Sequence, residues 1–205
     1  MHRKAGISEN RLSYLPNFVE TGNFEPSYSN SGYILFAGRL SHEKGLLTLL
    51  EACKGLEIPL KIAGDGPARP QCEIFARENN LKNVEFAGYK TGKDLKGLYK
   101  NACFVVLPSE WYENNPLSVI ESFAYGKPVI GSNIGGIPEL VVEGETGMLF
   151  QPGDHQQLRE KMLYLFNNPS MIEKLGRNAR EKVEKENNPD AHYEKLMEIY
   201  QKALR

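Results

Sequence analysis

From residue 33 onward, short apolar runs alternate with longer amphipathic ones, the pattern of strand–helix units feeding a parallel sheet. Tyr33-Ile34-Leu35-Phe36-Ala37 predicts the first strand, followed by a helix over 43–54 whose apolar side is Leu46, Leu47, Leu49 and Leu50. Strands are expected at 60–63, 84–87, 104–107, 128–131 and 147–150, with helices at 67–79, 94–101 and 117–125. Phe104-Val105-Val106-Leu107 is apolar throughout, as a strand buried on both faces should be. Beyond 150 the periodicity is helical: 154–167, 170–187 and 190–204, with Pro169 and Pro189 where helix starts are expected. The fold class that follows is α/β: a Rossmann-like parallel sheet with helices on both faces and C-terminal helices appended.

The first thirty residues break this rhythm. Asn23 to Gly32 is rich in Asn, Ser, Pro and Gly, a linker composition. Before it, Leu12-Ser13-Tyr14-Leu15-Pro16-Asn17-Phe18-Val19 reads as an extended piece belonging to something upstream. The expected organisation is therefore an upstream remnant or junction at 1–22, a linker at 23–32 and one domain over 33–205.

Composition narrows the function classes. The hydrophobic fraction of 40% suffices for a full core. The formal net charge of -1 supplies no basic field for nucleic acid or anionic lipid, so any phosphate site must be local. Cys53, Cys72 and Cys103 fit no metal-ligand spacing and read as buried reduced thiols. No apolar run is long enough for a membrane span, and the first residues lack a signal peptide's apolar stretch. The expected location is the cytoplasm, peripheral to a membrane at most in a longer protein.

Four loops carry candidate chemistry. After the first strand comes Gly38-Arg39-Leu40-Ser41-His42-Glu43-Lys44-Gly45. With Ser41 as N-cap, Lys44 falls at the third helical position, the wrong sign for a helix start unless an anion sits there. Arg39 approaches the same place, and Gly38 and Gly45 let backbone come close. Singly, each cation reads as a solvated surface charge; together with a strand, a glycine turn and a helix start they make a phosphate site. Gly64-Asp65-Gly66-Pro67 repeats the context more weakly, with Asp65 a turn former.

After the most apolar strand, Pro108-Ser109-Glu110-Trp111-Tyr112-Glu113-Asn114-Asn115-Pro116 leads into a helix. Open parallel sheets bind ligands outside the strands' carboxyl ends. Asn115 can cap, Pro116 suits the first helical position, and the amides of Leu117 and Ser118 are then free for an acceptor oxygen. Glu121, amid Leu117, Val119, Ile120, Phe123 and Ala124, is a carboxylate in apolar company that needs partners, and two adjacent ribose hydroxyls would serve. Glu113 lies nearer the opening and reads equally as a surface acid. Gly135 and Gly136, in Gly131-Ser132-Asn133-Ile134-Gly135-Gly136-Ile137-Pro138-Glu139, permit close approach to a ligand or simply make a flexible loop.

In this order these loops resemble the retaining glycosyltransferases of family 4, of GT-B fold. The strings are Phe36-Ala37-Gly38-Arg39-Leu40 with Lys44-Gly45, Ala63-Gly64-Asp65-Gly66-Pro67, Pro108-Ser109, Glu113 with seven residues before Glu121, Gly126-Lys127-Pro128-Val129, and Gly135-Gly136-Ile137-Pro138-Glu139. The resemblance implies that Arg39 and Lys44 grip the donor diphosphate, that Glu121 binds ribose and that Glu113 lies beside the donor sugar. It implies that the backbone of Asn115 to Ser118 contacts sugar and phosphate, that Tyr89 and Lys90 lie on the base-binding loop, and that Gly135 and Gly136 edge the cleft. Pro116 departs from the pattern: many members have glycine there, and proline has no N–H to offer.

The resemblance further implies a UDP- or GDP-linked sugar donor, no metal or other cofactor, and a carbohydrate or lipid-linked acceptor held by an N-terminal domain that this chain lacks. Tyr14-Leu15-Pro16-Asn17-Phe18-Val19 resembles the interdomain junction, and none of His2, His42, His155 or His192 matches the family's first-half histidine. Polysaccharide biosynthesis is the role the family suggests. Three rivals stand beside it. A nicotinamide-dependent oxidoreductase would want a G-x-G-x-x-G turn that is absent. A GT-B-like epimerase and a nucleotide-sugar-binding module without transferase activity complete the set.

Overall fold

In the computed structural model, which describes residues 12–204, the apolar runs form one all-parallel sheet. Its strands are β1 (Ile34–Ala37), β2 (Leu60–Ala63), β3 (Val84–Gly88), β4 (Phe104–Leu107), β5 (Val129–Ser132) and β6 (Gly147–Phe150), in the order β3-β2-β1-β4-β5-β6. Alternate side chains feed two cores, as the period of a strand requires. Ile34, Phe36, Ile62, Phe104 and Val106 point into one layer with α1 (Leu46–Ala52), α2 (Arg69–Glu78) and α6 (His155–Phe166). Leu35, Ala37, Val105 and Leu107 point into the other, with α3 (Gly92–Asn101), α4 (Leu117–Ala124), α5 (Ile137–Leu140) and α7 (Pro169–Glu186). The last helix, α8 (Pro189–Ala203), has no buried residue.

This strand order places a switch between β1 and β4. The chain winds outward through β2 and β3 on one side and through β5 and β6 on the other. The loops after β1 and β4 therefore diverge at the carboxyl edge and leave a crevice between them.

Three local expectations need correction. The helix expected over 43–54 begins only at Leu46; before it, His42–Lys44 is a 3-10 turn closed by Gly45 at φ +64°. Glycine suits the position twice over: the φ is positive, and a Cβ there would lie 1.9 Å from the Pro108 carbonyl oxygen. Within the stretch 131–139, expected as loop, the chain enters the helix α5 at Ile137, a single turn too short for helical periodicity to show. The stretch 23–32, linker-like in composition, is held along its length. The Ser27 amide donates to the Tyr125 carbonyl, the Ser31 amide to Asn101, and Arg180 of α7 to the carbonyls of Thr21, Phe24 and Ala124. Of the expected upstream remnant, residues 1–11 lie outside the described residues. Residues 16–19 are tied to the α7–α8 junction through Val19 to Asn187 and Pro16 to His192.

The same stretch covers Lys127, which is 2% exposed and donates from Nζ to the Ser29 carbonyl at 2.9 Å. Burial pushes its ammonium down to about 8, the neighbouring Cys103 opposing slightly. The unfolded chain, with an ordinary lysine near 10.4, binds the extra proton between these values, so this group's contribution to stability rises with pH across that window and is lost as pH falls through 8. Relative to Lys127→Met, the wild type should gain on the order of 3 kcal/mol between pH 7 and 10.5. Denaturant midpoints of both proteins across that range check this, and the difference between them cancels the buried thiols and tyrosines that titrate in both.

Candidate functional site

The crevice floor is built by backbone meeting backbone. The Gly38 amide donates to Ala63 and the Gly64 amide to Gly88, extending the β1–β2 and β2–β3 ladders by one residue each. Gly64 (φ +148°) faces the Gly38 carbonyl, and Gly66 (φ +156°) faces that of Leu40; a Cβ would lie 1.8 Å and 2.4 Å from those oxygens. Only glycine allows these loops to touch. Asp65 is the expected turn former, its carboxylate accepting from the Gly66 amide at 2.8 Å.

Above this floor opens a cavity of about 590 Å³. Its lining brings together Gly38, Arg39, Gly64, Tyr89, Lys90, Ser118 and Glu121, all singled out by sequence, with Thr91, Leu95 and Tyr99 among the rest. Arg39 is exposed at the cavity wall, and Tyr89 stands at the rim, 75% exposed. Glu121 projects from the second turn of α4. Its Oε2 accepts from the Tyr99 hydroxyl at 3.4 Å, and among the described residues Oε1 has no partner. Burial raises the Glu121 carboxyl above the usual carboxylate range, partly offset by the Tyr99 hydroxyl. The cavity lining thus holds a part-buried acid, one of whose oxygens has no partner among the described residues, together with a guanidinium.

Lys44 and Glu113 sit beside this cavity rather than in its lining. Lys44 Nζ contacts Glu113 Oε1 at 2.5 Å, and the fully buried Ser109 hydroxyl donates to the same oxygen at 2.7 Å. Ser41 occupies the N-cap position and Lys44 the third position of a helix, as expected, but the helix is a single 3-10 turn that Gly45 closes before α1 begins at Leu46. The Ser41 hydroxyl donates to Glu43 at 2.6 Å and not to a helix amide. Lys44 is held across the switch-point crevice, where the Glu110 amide also bonds the Glu43 carbonyl. Arg39 and Lys44 stay close enough for both to depress the Glu43 carboxyl, after its bonds from Ser41 and from its own backbone.

The start of α4 also differs from expectation. Pro116, not Asn115, occupies the N-cap position, and the helix begins at Leu117. Asn115 faces the other way: Oδ1 accepts from the Asn17 amide at 2.8 Å, Nδ2 donates to the Tyr14 hydroxyl at 3.1 Å, and its carbonyl accepts from Asn17 Nδ2. The first helical bond is Val119 to Pro116, which leaves the amides of Leu117 and Ser118 without intrahelical partners, as at any helix start. Gly135 and Gly136 are needed for packing: a Cβ on Gly136 would lie 1.7 Å from the Asn114 carbonyl oxygen, and the Gly136 amide bonds Glu113 O at 2.7 Å. Neither lines the cavity; both pack against the backbone of the Glu113 loop.

Sequence reasoning gave no role to Tyr99 or Ser109. Tyr99 shares the apolar side of α3 with Leu95 and Leu98, so it looks like core from sequence, and nothing in the spacing links it to an acid 22 positions on.

Comparison with known proteins gives this geometry its context. The family described as glycosyl transferases group 1 matches residues 20–182. An uncharacterized glycosyltransferase of Methanocaldococcus jannaschii is 33% identical over 175 residues, which cover 84% of this chain and 49% of that protein. Sucrose-phosphate synthase from Thermosynechococcus elongatus superimposes with a TM-score of 0.84 at 28% identity, over 94% of this chain and 52% of that one. The Anabaena protein HepE, solved in complex with UDP, superimposes with a TM-score of 0.88 at 20% identity, over 97% and 60%. The chain spans about half the length of its Methanocaldococcus relative.

Proposed function

Since the chain belongs to the glycosyl transferases group 1 family, we propose that it is the donor-binding half of a glycosyltransferase and that its cavity holds a nucleoside diphosphate sugar. The observation that carries this reading is the cavity itself. Arg39 on one wall and the open start of α4 on another can meet a diphosphate, while the unpartnered Oε1 of Glu121 can accept from ribose hydroxyls. The UDP complex of HepE supports it by analogy of fold. In this reading the base lies against Tyr89 and Lys90, which line the cavity from the loop after β3.

The reaction in this reading is that of a retaining enzyme of family 4. The anomeric C–O bond to the diphosphate breaks, one to the acceptor oxygen forms on the same face of the sugar, and the acceptor hydroxyl's proton passes to the departing diphosphate oxygen. Charge grows on the departing diphosphate, and Arg39, Lys44 and the amides of Leu117 and Ser118 stabilise it more in the transition state than before it. Glu113, tethered by Ser109 and Lys44, lies beside the donor sugar and limits its pose. A carbohydrate or lipid-linked acceptor binds to a second domain, of which residues 1–22 are the junction.

A thermal-shift screen with UDP, GDP, ADP and their sugars tests the binding claim, because a ligand of the folded state raises the melting midpoint. One nucleotide series should stabilise the chain by several degrees at millimolar concentration, with the others weaker. No shift with any of them, under conditions where the chain is folded, contradicts the reading. Among the described residues no helix is long and apolar enough to cross a membrane, so detergent-free buffer is the natural condition.

A further inference from the structure

We propose that Tyr99 is a positioning residue for nucleotide binding: its hydroxyl fixes the Oε2 edge of Glu121, so that Oε1 is presented to the ribose hydroxyls of a nucleoside diphosphate. The inference rests on the ribose role given to Glu121 above and extends it to a residue whose own helix position suggests only packing.

Tyr99 lies in the last turn of α3 and is 2% exposed, yet it reaches the cavity lining. Its ring is stacked on Tyr125 at 5.4 Å with an interplanar angle of 18°, and Phe24 meets Tyr125 edge-on at 5.0 Å. The stack leaves the phenol little freedom, so its hydroxyl has a fixed direction. That direction leads to Glu121 Oε2, its one hydrogen-bond partner among the described residues. The 3.4 Å separation is long for a pair of oxygens, as is common in ligand-free sites, and it can shorten when the carboxylate turns to a ligand.

The titratable groups that share the cavity lining with Glu121 are Arg39 from the loop after β1, Asp65 from the loop after β2, Tyr89 and Lys90 from the loop after β3, and Tyr99 from α3; Tyr125, just past the end of α4, also feels its charge. Of these, Tyr99 donates to the carboxylate directly. Burial opposes ionisation of Glu121 and the Tyr99 hydroxyl favours it. An ionised, oriented carboxylate is the form that accepts from two hydroxyls. Removing the phenol oxygen alone therefore should cost ribose recognition and raise the pH below which that recognition fails.

The test is calorimetric titration of the 205-residue chain and its Tyr99→Phe variant with UDP, GDP, ADP and their 2′,3′-dideoxy counterparts, between pH 5 and 8. For the nucleotide that binds, Tyr99→Phe should weaken the ribose form about 3- to 10-fold and leave the dideoxy form nearly unchanged. Its pH midpoint for binding should move upward, and in a Glu121→Gln background the Tyr99 change should add little. An equal loss for both sugar forms would mark a packing role and overturn the inference, as would unchanged discrimination and pH profile. If the wild type itself does not prefer ribose over dideoxyribose, the role of Glu121 has failed instead, and Tyr99 with it.

Discussion

Replacing Gly64 by alanine is expected to abolish measurable nucleoside-diphosphate binding and to lower the melting midpoint by roughly 6–12 °C. The added Cβ would lie 1.8 Å from the Gly38 carbonyl oxygen, backbone against backbone, in a conformation (φ +148°) that L residues rarely adopt. Neither loop can retreat easily, because Gly38 is bonded to Ala63 and Gly64 to Gly88 at the ends of their ladders. Strain of this kind costs about 3 kcal/mol, which for a chain of this size gives the stated shift. The displaced loop carries Arg39, so binding falls with stability. Gly97→Ala is the control: it lies in α3 with nothing within 4 Å of its Cβ, and it should be neutral or stabilising by up to about 1 kcal/mol. Thermal melts and nucleotide titrations of both variants check this, and a Gly64→Ala protein that binds normally would show that the loop contact does not shape the cavity.

The double variant Arg39→Ala, Lys44→Ala is expected to weaken diphosphate binding by at least about 100-fold, at a charge-assisted contribution of about 1.5–3 kcal/mol per cation. Because Lys44 is already engaged with Glu113, the two single variants should differ. Arg39→Ala removes a cation with no ion-pair partner among the described residues, and should account for most of the loss. Lys44→Ala removes one that must first be shared with Glu113. Glu113→Gln releases Lys44, so it should keep or modestly raise diphosphate affinity. Calorimetry of the three single variants separates these effects. Equal affinity in wild type and double variant would remove the proposed diphosphate contacts, whatever the fold.

Much of this architecture was legible before the structure. The central strands β1, β4 and β5 are short and buried on both faces, and uninterrupted apolar runs such as Phe104 to Leu107 mark them. The C-terminal helices were equally plain, because Pro169 and Pro189 sit at their first positions. What was not legible depends on contacts between distant segments. Gly45 closes the 3-10 turn at a positive φ where Pro108, sixty-three residues on, leaves no room for a Cβ. Asn115 looks like a cap from its neighbours, but its side chain is taken by Tyr14 and Asn17. The cavity gathers Gly38, Arg39, Gly64, Lys90, Ser118 and Glu121, as loops after successive parallel strands must. Lys44 and Glu113 meet each other, a pairing across the switch point that spacing alone could not reveal.

In the proposed function one nucleoside diphosphate occupies the cavity between the loops after β1, β2 and β3 and the start of α4. A crystal structure of the chain with its best-binding nucleoside diphosphate checks it. The diphosphate is expected within contact of Arg39 and the amides of Leu117 and Ser118, the ribose hydroxyls on Glu121, and the base beside Tyr89 and Lys90. Density for the nucleotide in the separate hollow between Tyr14, Glu139 and Lys195, with the first cavity empty, would contradict it.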